Sequence, residues 1–351
     1  MKNTHLLKLI LGLTSATVFI SLILVIFFYF KRRARNGHND VESPEIKHRD
    51  EIEIEDLLTF QGGEDLIISD ILDAPGEVIG KSNYGTLYKA LFLRSNCVRL
   101  LRFLRPICTT RAKDFGEAIQ LLGSIRHPNL VPLLGFYSGP RGEKLLVHPF
   151  FRHGSLAQFI RDGNAESHKW TIVYRISIGI AKGLDHLHTG FQKPVIHGNL
   201  KLKNILLDRN YQPYISDFGL HLLLNPTAGQ EMLEASAADG YKAPELIKMK
   251  DASEQTDVYS LGIILLELLS GKERINENPT NDNDFHLPTF MRNAVLDRRI
   301  TDLYHPDINE STVTEETVLK FFQLAMACCS PSPSLRPNIR QVLWRLEEIG
   351  R

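Results

Sequence analysis

Hydrophobic and polar positions divide this chain into three stretches. From Leu9 to Phe30 no charge interrupts a run rich in Leu, Ile, Val and Phe. At about 1.5 Å per residue, a helix of that length crosses the roughly 30 Å hydrocarbon core of a bilayer. Residues 9–30 therefore predict one transmembrane helix, with residues 1–8 as a short extracytoplasmic stub. A cleaved signal peptide would have a shorter apolar region and a small-residue cleavage site. Here the run ends in Phe27-Phe28-Tyr29-Phe30 and continues into Lys31-Arg32-Arg33. These cations and Arg35 outweigh Lys2 and Lys8 on the other side, which places the C-terminal part in the cytoplasm.

The second stretch, residues 31–64, is polar, with an acidic run from Asp50 to Asp56 and a Gly62-Gly63 pair. It reads as a juxtamembrane linker. From about residue 65 the pattern becomes globular. Val78 to Leu91 reads as two strands around a glycine turn. A helix is predicted near Lys113 to Ile125, then strands to about Pro149. After Gly154 the pattern is mostly helical, with long apolar runs at helical spacing over Ile172–His188 and Asp257–Leu269. A small strand-rich lobe (65–149) before a larger helical lobe (150–350) is an α+β arrangement.

Composition narrows the function classes. Lys+Arg and Asp+Glu both number 41, and this balance argues against nucleic acid as a partner. The four cysteines, Cys97, Cys108, Cys328 and Cys329, lack C-x-x-C spacing and read as reduced core residues. Asn309-Glu310-Ser311 matches a glycosylation sequon that a cytoplasmic domain would leave unused.

Candidate chemistry lies in an ordered series. Val195-Ile196-His197-Gly198-Asn199-Leu200-Lys201 and Asn204 are followed by Ile215-Ser216-Asp217-Phe218-Gly219 and by Ala243-Pro244-Glu245. Each tripeptide alone is weak, but in this order and spacing the series is specific. The segment from about Asp65 to Glu348 resembles a protein kinase domain. Asp257-Val258-Tyr259-Ser260, Glu267-Leu268-Leu269 and Arg336-Pro337 make it similar to plant receptor-like kinases. Phe60-Gln61-Gly62-Gly63-Glu64, Ile125-Arg126-His127 and Gly240-Tyr241-Lys242 extend the likeness to the transmembrane kinase-like proteins considered inactive. The implied fold is the two-lobed protein kinase fold, preceded by one transmembrane helix.

The resemblance assigns roles, and several are unfilled. Phosphoryl transfer depends on positioning, metal ions and charge stabilisation. Gly80 and Gly85 match the glycine-rich loop that covers the phosphates, and Ser82 replaces its middle glycine, adding a side chain where backbone would approach phosphate. The third strand should carry a lysine, yet none lies between Lys89 and Lys113. One register puts Arg99 there with a shortened hairpin; an ungapped count puts Leu101 there. Both registers stay open. The glutamate that pairs with this lysine is replaced by Ala118. Asn199 stands where the catalytic base is an aspartate, and an amide cannot take up a proton at neutral pH. Gly198 replaces an arginine that reads activation-loop phosphorylation.

Other parts persist. Asn204 and Asp217 match the two magnesium ligands, and Lys201 matches the residue that contacts the transferring phosphate. His197, Phe218, Asp257, Glu245 and Arg336 match scaffold positions. ATP with magnesium is thus the implied cofactor, with binding left open. Thr227 and Ser236 are the activation-segment hydroxyls, Ala238 stands where relatives have a substrate-facing threonine, and His148 borders the adenine pocket. The leading expectation is a membrane-anchored pseudokinase docking other membrane receptor kinases or adaptors, with a co-receptor supplying the external signal. The alternatives are a weak, atypical Ser/Thr kinase and a nucleotide-sensing switch without transfer.

Overall fold

The computed structural model describes residues 56–164, 166–271, 286–299, 303–309 and 313–351, all within the unit Ile52–Arg351. Leu9–Phe30, the stub and most of the linker lie outside the described residues, as does part of the sequon. Among the described residues no helix is long and apolar enough to cross a membrane.

The chain opens with strand β1 (Asp56–Thr59) and a short helix α1 (Ile68–Leu72), then β2 (Gly76–Ser82), β3 (Gly85–Phe92), β4 (Cys97–Leu104), helix α2 (Ala112–Ser124), β5 (Gly135–Ser138) and β6 (Lys144–Pro149). The six strands form one antiparallel sheet in the order β1-β5-β6-β4-β3-β2. β1 pairs Asp56 with Ser138 and Thr59 with Gly135. Residues 56–64, read from the sequence as linker, thus belong to the fold. Phe60 follows β1, donates its N–H to the Leu134 carbonyl at 2.9 Å, and lies where any side chain at Gly123 would collide with its ring. The acidic flank hides a strand with only two apolar residues, Leu57 and Leu58.

Helix α2 buries Phe115, Ala118, Ile119 and Leu122, the spacing of one helical face. The larger lobe contains α3 (Leu156–Arg161), α4 (Trp170–Thr189), β7 (Ile205–Leu207), β8 (Pro213–Ile215), α5 (Pro226–Ala238), α6 (Glu254–Ser270), α7 (Leu287–Leu296), α8 (Glu315–Cys328) and α9 (Ile339–Ile349). The all-round apolar run of α6 makes it the lobe's central helix, buried continuously from Thr256 to Ser270. Cys328 and Cys329 are buried free thiols, and burial pushes Cys328 up to about 12.

Two polar networks fix this lobe. Asp257 on α6 accepts the N–H groups of His197 (2.7 Å) and Gly198 (2.9 Å) and contacts His188 Nε2 at 3.0 Å. Burial alone would raise its pKa; the bond from His188 and the nearby imidazoles outweigh that and hold the carboxyl below its usual range. Arg336 grips Glu245 through both Nη atoms, at 2.6 and 2.8 Å, and donates to the Gln255 carbonyl at 2.8 Å. Tyr241 links the loop before Glu245 to the core, donating to Glu267 at 2.8 Å and accepting the Leu202 N–H at 3.2 Å.

Candidate functional site

The cleft between sheet and helical lobe collects most of the predicted site residues, and its centre is a residue that both sequence registers missed. Strand side chains alternate between faces. On β4, Leu104 joins the core under α2, whereas Leu101 joins the cluster on the opposite face. Arg102 therefore points into the cleft, and neither Arg99 nor Leu101 does. Arg99 lies 3.9 Å from Asp65, on the face that holds Leu101. The β4 cation that faces the cleft is Arg102, one residue beyond the position that the ungapped count reaches. The signal was present as a lone cation inside Leu100-Leu101-Arg102-Phe103-Leu104, with the count better taken back from the strand's exit.

Arg102 Nη2 lies 2.5 Å from Asp217 Oδ1, with 7% and 18% of the two side chains exposed. The pairing follows from α2. Ala118 is buried in the core and Glu117 faces solvent, so helix α2 offers Arg102 no carboxylate. A buried guanidinium needs a partner, and Asp217 is the acid within reach. Asp217 holds a backbone φ of +63°, a conformation uncommon outside glycine and one that occurs at sites the surrounding structure over-determines.

The glycine-rich loop closes over this pair. A Cβ at Gly85 would sit 2.3 Å from the Phe103 carbonyl oxygen, so glycine there is demanded by the hairpin itself. Ser82 Oγ donates to the Gly85 carbonyl at 3.2 Å. Tyr84 at the loop tip turns inward beside Arg102; burial raises its phenol pKa, with Arg102 opposing. At the back, His148 faces the Pro132 carbonyl at 2.9 Å. Burial drives its pKa down to about 4, so the imidazole is neutral.

The catalytic-loop residues come together, but for each other. Asn199 is buried, with its side-chain oxygen unpartnered. Asn204 donates from Nδ2 to the Asn199 carbonyl at 2.9 Å and accepts from Ser216 through its own carbonyl. Lys201 reaches Asp239 at 3.1 Å, and Lys203 reaches the same carboxylate at 3.5 Å. Asp239 follows α5, so the end of the activation segment ties down the lysine expected to meet phosphate.

That segment is helical. Asn225 caps α5 by accepting the Ala228 N–H at 2.9 Å, and its own side-chain amide donates to the Ile107 carbonyl at 2.7 Å. The Asn225 N–H bonds the Cys108 carbonyl, and the Thr110 N–H bonds Leu223, stitching the segment to the small lobe. Met232, Leu233 and Ser236 are buried, while Thr227 is exposed. Of the two candidate hydroxyls, only Thr227 is open to an external kinase. Gly198 has φ +75°, and a Cβ on it would lie 2.9 Å from His221 Nδ1. The imidazole fills the space beside the missing arginine, and burial lowers its pKa.

Magnesium does not fit the cleft. A hard dication needs oxygen ligands carrying negative charge, and the one carboxylate of the expected pair is neutralised by a guanidinium. At an effective dielectric of about 20, unit charges of like sign about 4 Å apart repel by about 4 kcal/mol, and a dication beside Arg102 would face more. Space for a nucleotide does exist. A phosphate-side cavity of about 420 Å³ lies under the loop. A base-side cavity of about 620 Å³ is walled by Leu87, Leu100 and Leu206. They share Leu87, Arg102, Lys203, Asn204 and Asp217.

The sequence pattern of the protein kinase domain matches residues 74–345. The chain belongs to the protein kinase family. Among its kinase relatives, a kinase-like protein of Arabidopsis thaliana, TMKL1, is 35% identical over 350 residues, which cover 97% of this chain and 52% of that protein. The relatives are plant receptor-like kinases, several bearing names that mark them inactive. This kinase-fold chain spans about half the length, or less, of the curated relatives it matches. The solved kinase domain of maize SIRK1, sucrose-induced receptor kinase 1, bound to AMP-PNP, matches with a TM-score of 0.74 and 30% identity, covering 84% of this chain and 100% of that one. The pseudokinase domain of BIR2, an immune regulator of the RLK/Pelle family, matches with a TM-score of 0.65 and 30% identity over 78% of this chain and 80% of that one.

Proposed function

We propose that this chain is a membrane-anchored pseudokinase that acts by docking onto other receptor kinases or adaptors and does not transfer phosphate. The observation that carries the reading is the Arg102–Asp217 pair. It occupies the carboxylate that would organise metal, and it exists because Ala118 leaves the cation without a partner on α2. Asn199 removes the general base, a loss of typically about 10²–10⁴-fold in rate. Lys201 is committed to Asp239. These changes fall on different steps of one reaction, while Asp257, Arg336 and Tyr241 still hold the scaffold.

Docking then falls to the outer surface, and the apolar run Leu9–Phe30 supports tethering, which raises the effective concentration of membrane partners. The BIR2 neighbour, a pseudokinase named as an immune regulator, makes such a role coherent. The maize neighbour holds AMP-PNP, and the paired cavities make an adenine nucleotide a fitting occupant here as well. The test is transfer of radiolabelled γ-phosphate by the full chain in detergent micelles, to itself and to a general protein substrate. Incorporation should equal that of the Asp217→Asn variant. Incorporation that this variant abolishes would establish a weak kinase and sink the docking-only reading.

A further inference from the structure

We infer that the cleft holds a nucleoside polyphosphate without a divalent cation, with the Arg102 guanidinium supplying the charge that a metal would bring. The inference rests on the pseudokinase reading, since it takes Asp217 as engaged by the protein itself. On the phosphate side, four cations (Arg102, Lys81, Lys201 and Lys203) stand against the carboxylates of Asp217, Glu231 and Asp239. Lys81 has no ion-pair partner among the described residues. The site is thus positive before any metal arrives.

Arg102 is suited to the task. A guanidinium has five N–H donors in a planar fork, and one Nη meets Asp217. The remaining donors match a phosphate in a bidentate manner, and weak hydration makes them cheap to desolvate. Asp217 then orients the guanidinium, as a carboxylate orients a metal-bound histidine. The base side supplies the rest of the recognition: Leu87 and Leu100 from the sheet and Leu206 from below form an apolar slot continuous with the cationic end. An apolar slot joined to a cationic pocket selects a nucleoside polyphosphate over a bare polyphosphate. A dication entering with it would meet the guanidinium at close range.

Calorimetric titration and unfolding temperature of the full chain in detergent micelles test this, with ATP added in EDTA and then in excess MgCl2. The dissociation constant in EDTA should lie within about threefold of that in magnesium, or below it. Tripolyphosphate should bind about tenfold or more weakly than ATP. Arg102→Ala should weaken ATP binding in EDTA by about tenfold or more. Arg102→Met, which keeps the volume, replaces Arg102→Ala if that variant does not fold. Binding improved about tenfold by magnesium, tripolyphosphate binding as tightly as ATP, unchanged binding by the Arg102 variant, or no saturable binding at all would each overturn the inference. Absence of binding leaves the docking reading standing, whereas phosphoryl transfer would remove that reading and leave the binding results to stand alone.

Discussion

At position 148 an imidazole is held neutral behind the cleft, against the Pro132 carbonyl and near the Arg102 cation. Its proton affinity is lowered mainly by burial, from 6.5 to about 4. The unfolded chain therefore takes up a proton at this residue below pH 6.5 that the folded chain refuses until about 4. The stabilising contribution is complete above 6.5 and is lost as pH falls through that window. The residue keeps some solvent contact, so the loss is on the order of 1–2 kcal/mol. Urea unfolding at pH 7 and at pH 4.5 should show His148→Gln with a flatter dependence than the parent. Identical dependence in the two proteins would assign the acid sensitivity elsewhere, His197 being the next buried imidazole.

Helix α5 lines the phosphate side of the cleft, and its start rests on one residue. Asn225 both caps the helix and bonds the Ile107 carbonyl. Loss of an N-cap costs about 0.5–2 kcal/mol, so Asn225→Ala should destabilise by about 1–2 kcal/mol. Amides of residues 227–238 should then exchange faster with solvent. Unchanged exchange would mean that Met232 and Leu233 alone hold the helix. This element was hard to read in the sequence. Its apolar pattern is shallow, and its burial is set by neighbours outside the helix, Met249 among them. The lobes were legible because α4 and α6 carry long apolar periodicity and because the motif from His197 to Asn204 runs without a gap. The β4 register was not, since a one-residue insertion in a hairpin shifts a count taken from the preceding strand, the lone cation inside Leu100 to Leu104 helps only a count taken back from the strand's exit, and the partner that marks it, Asp217, lies far along the chain. Tyr84, His221 and Asp239 were missed for the same reason: each acts through a contact between segments remote in sequence.

For the molecule as a whole, the sheet starts earlier than the acidic linker suggests. β1 adds an edge strand to β5, Arg126 donates to the Gln61 carbonyl at 2.8 Å, and Phe60 covers Gly123. A fragment of residues 65–351 lacks these contacts, while one of residues 52–351 keeps them. Truncating a buried aromatic costs about 3–5 kcal/mol, and Phe60 is half-buried, so the shorter fragment should be less stable by about 2–4 kcal/mol. Calorimetric midpoints compare the two directly. Equal midpoints would show β1 to be an ornament of the sheet with no share in its stability.

The imidazole beside Gly198 bears on how such a protein changes over generations. A mutation restoring arginine at 198 would meet His221 at once, on a backbone that side chains rarely adopt. An arginine at 198 is accommodated only where the His221 ring shifts and the backbone keeps its positive φ, so the exchange carries a cost that glycine does not. Steric and backbone barriers thus coincide at one position, and a single exchange to arginine there is opposed by both.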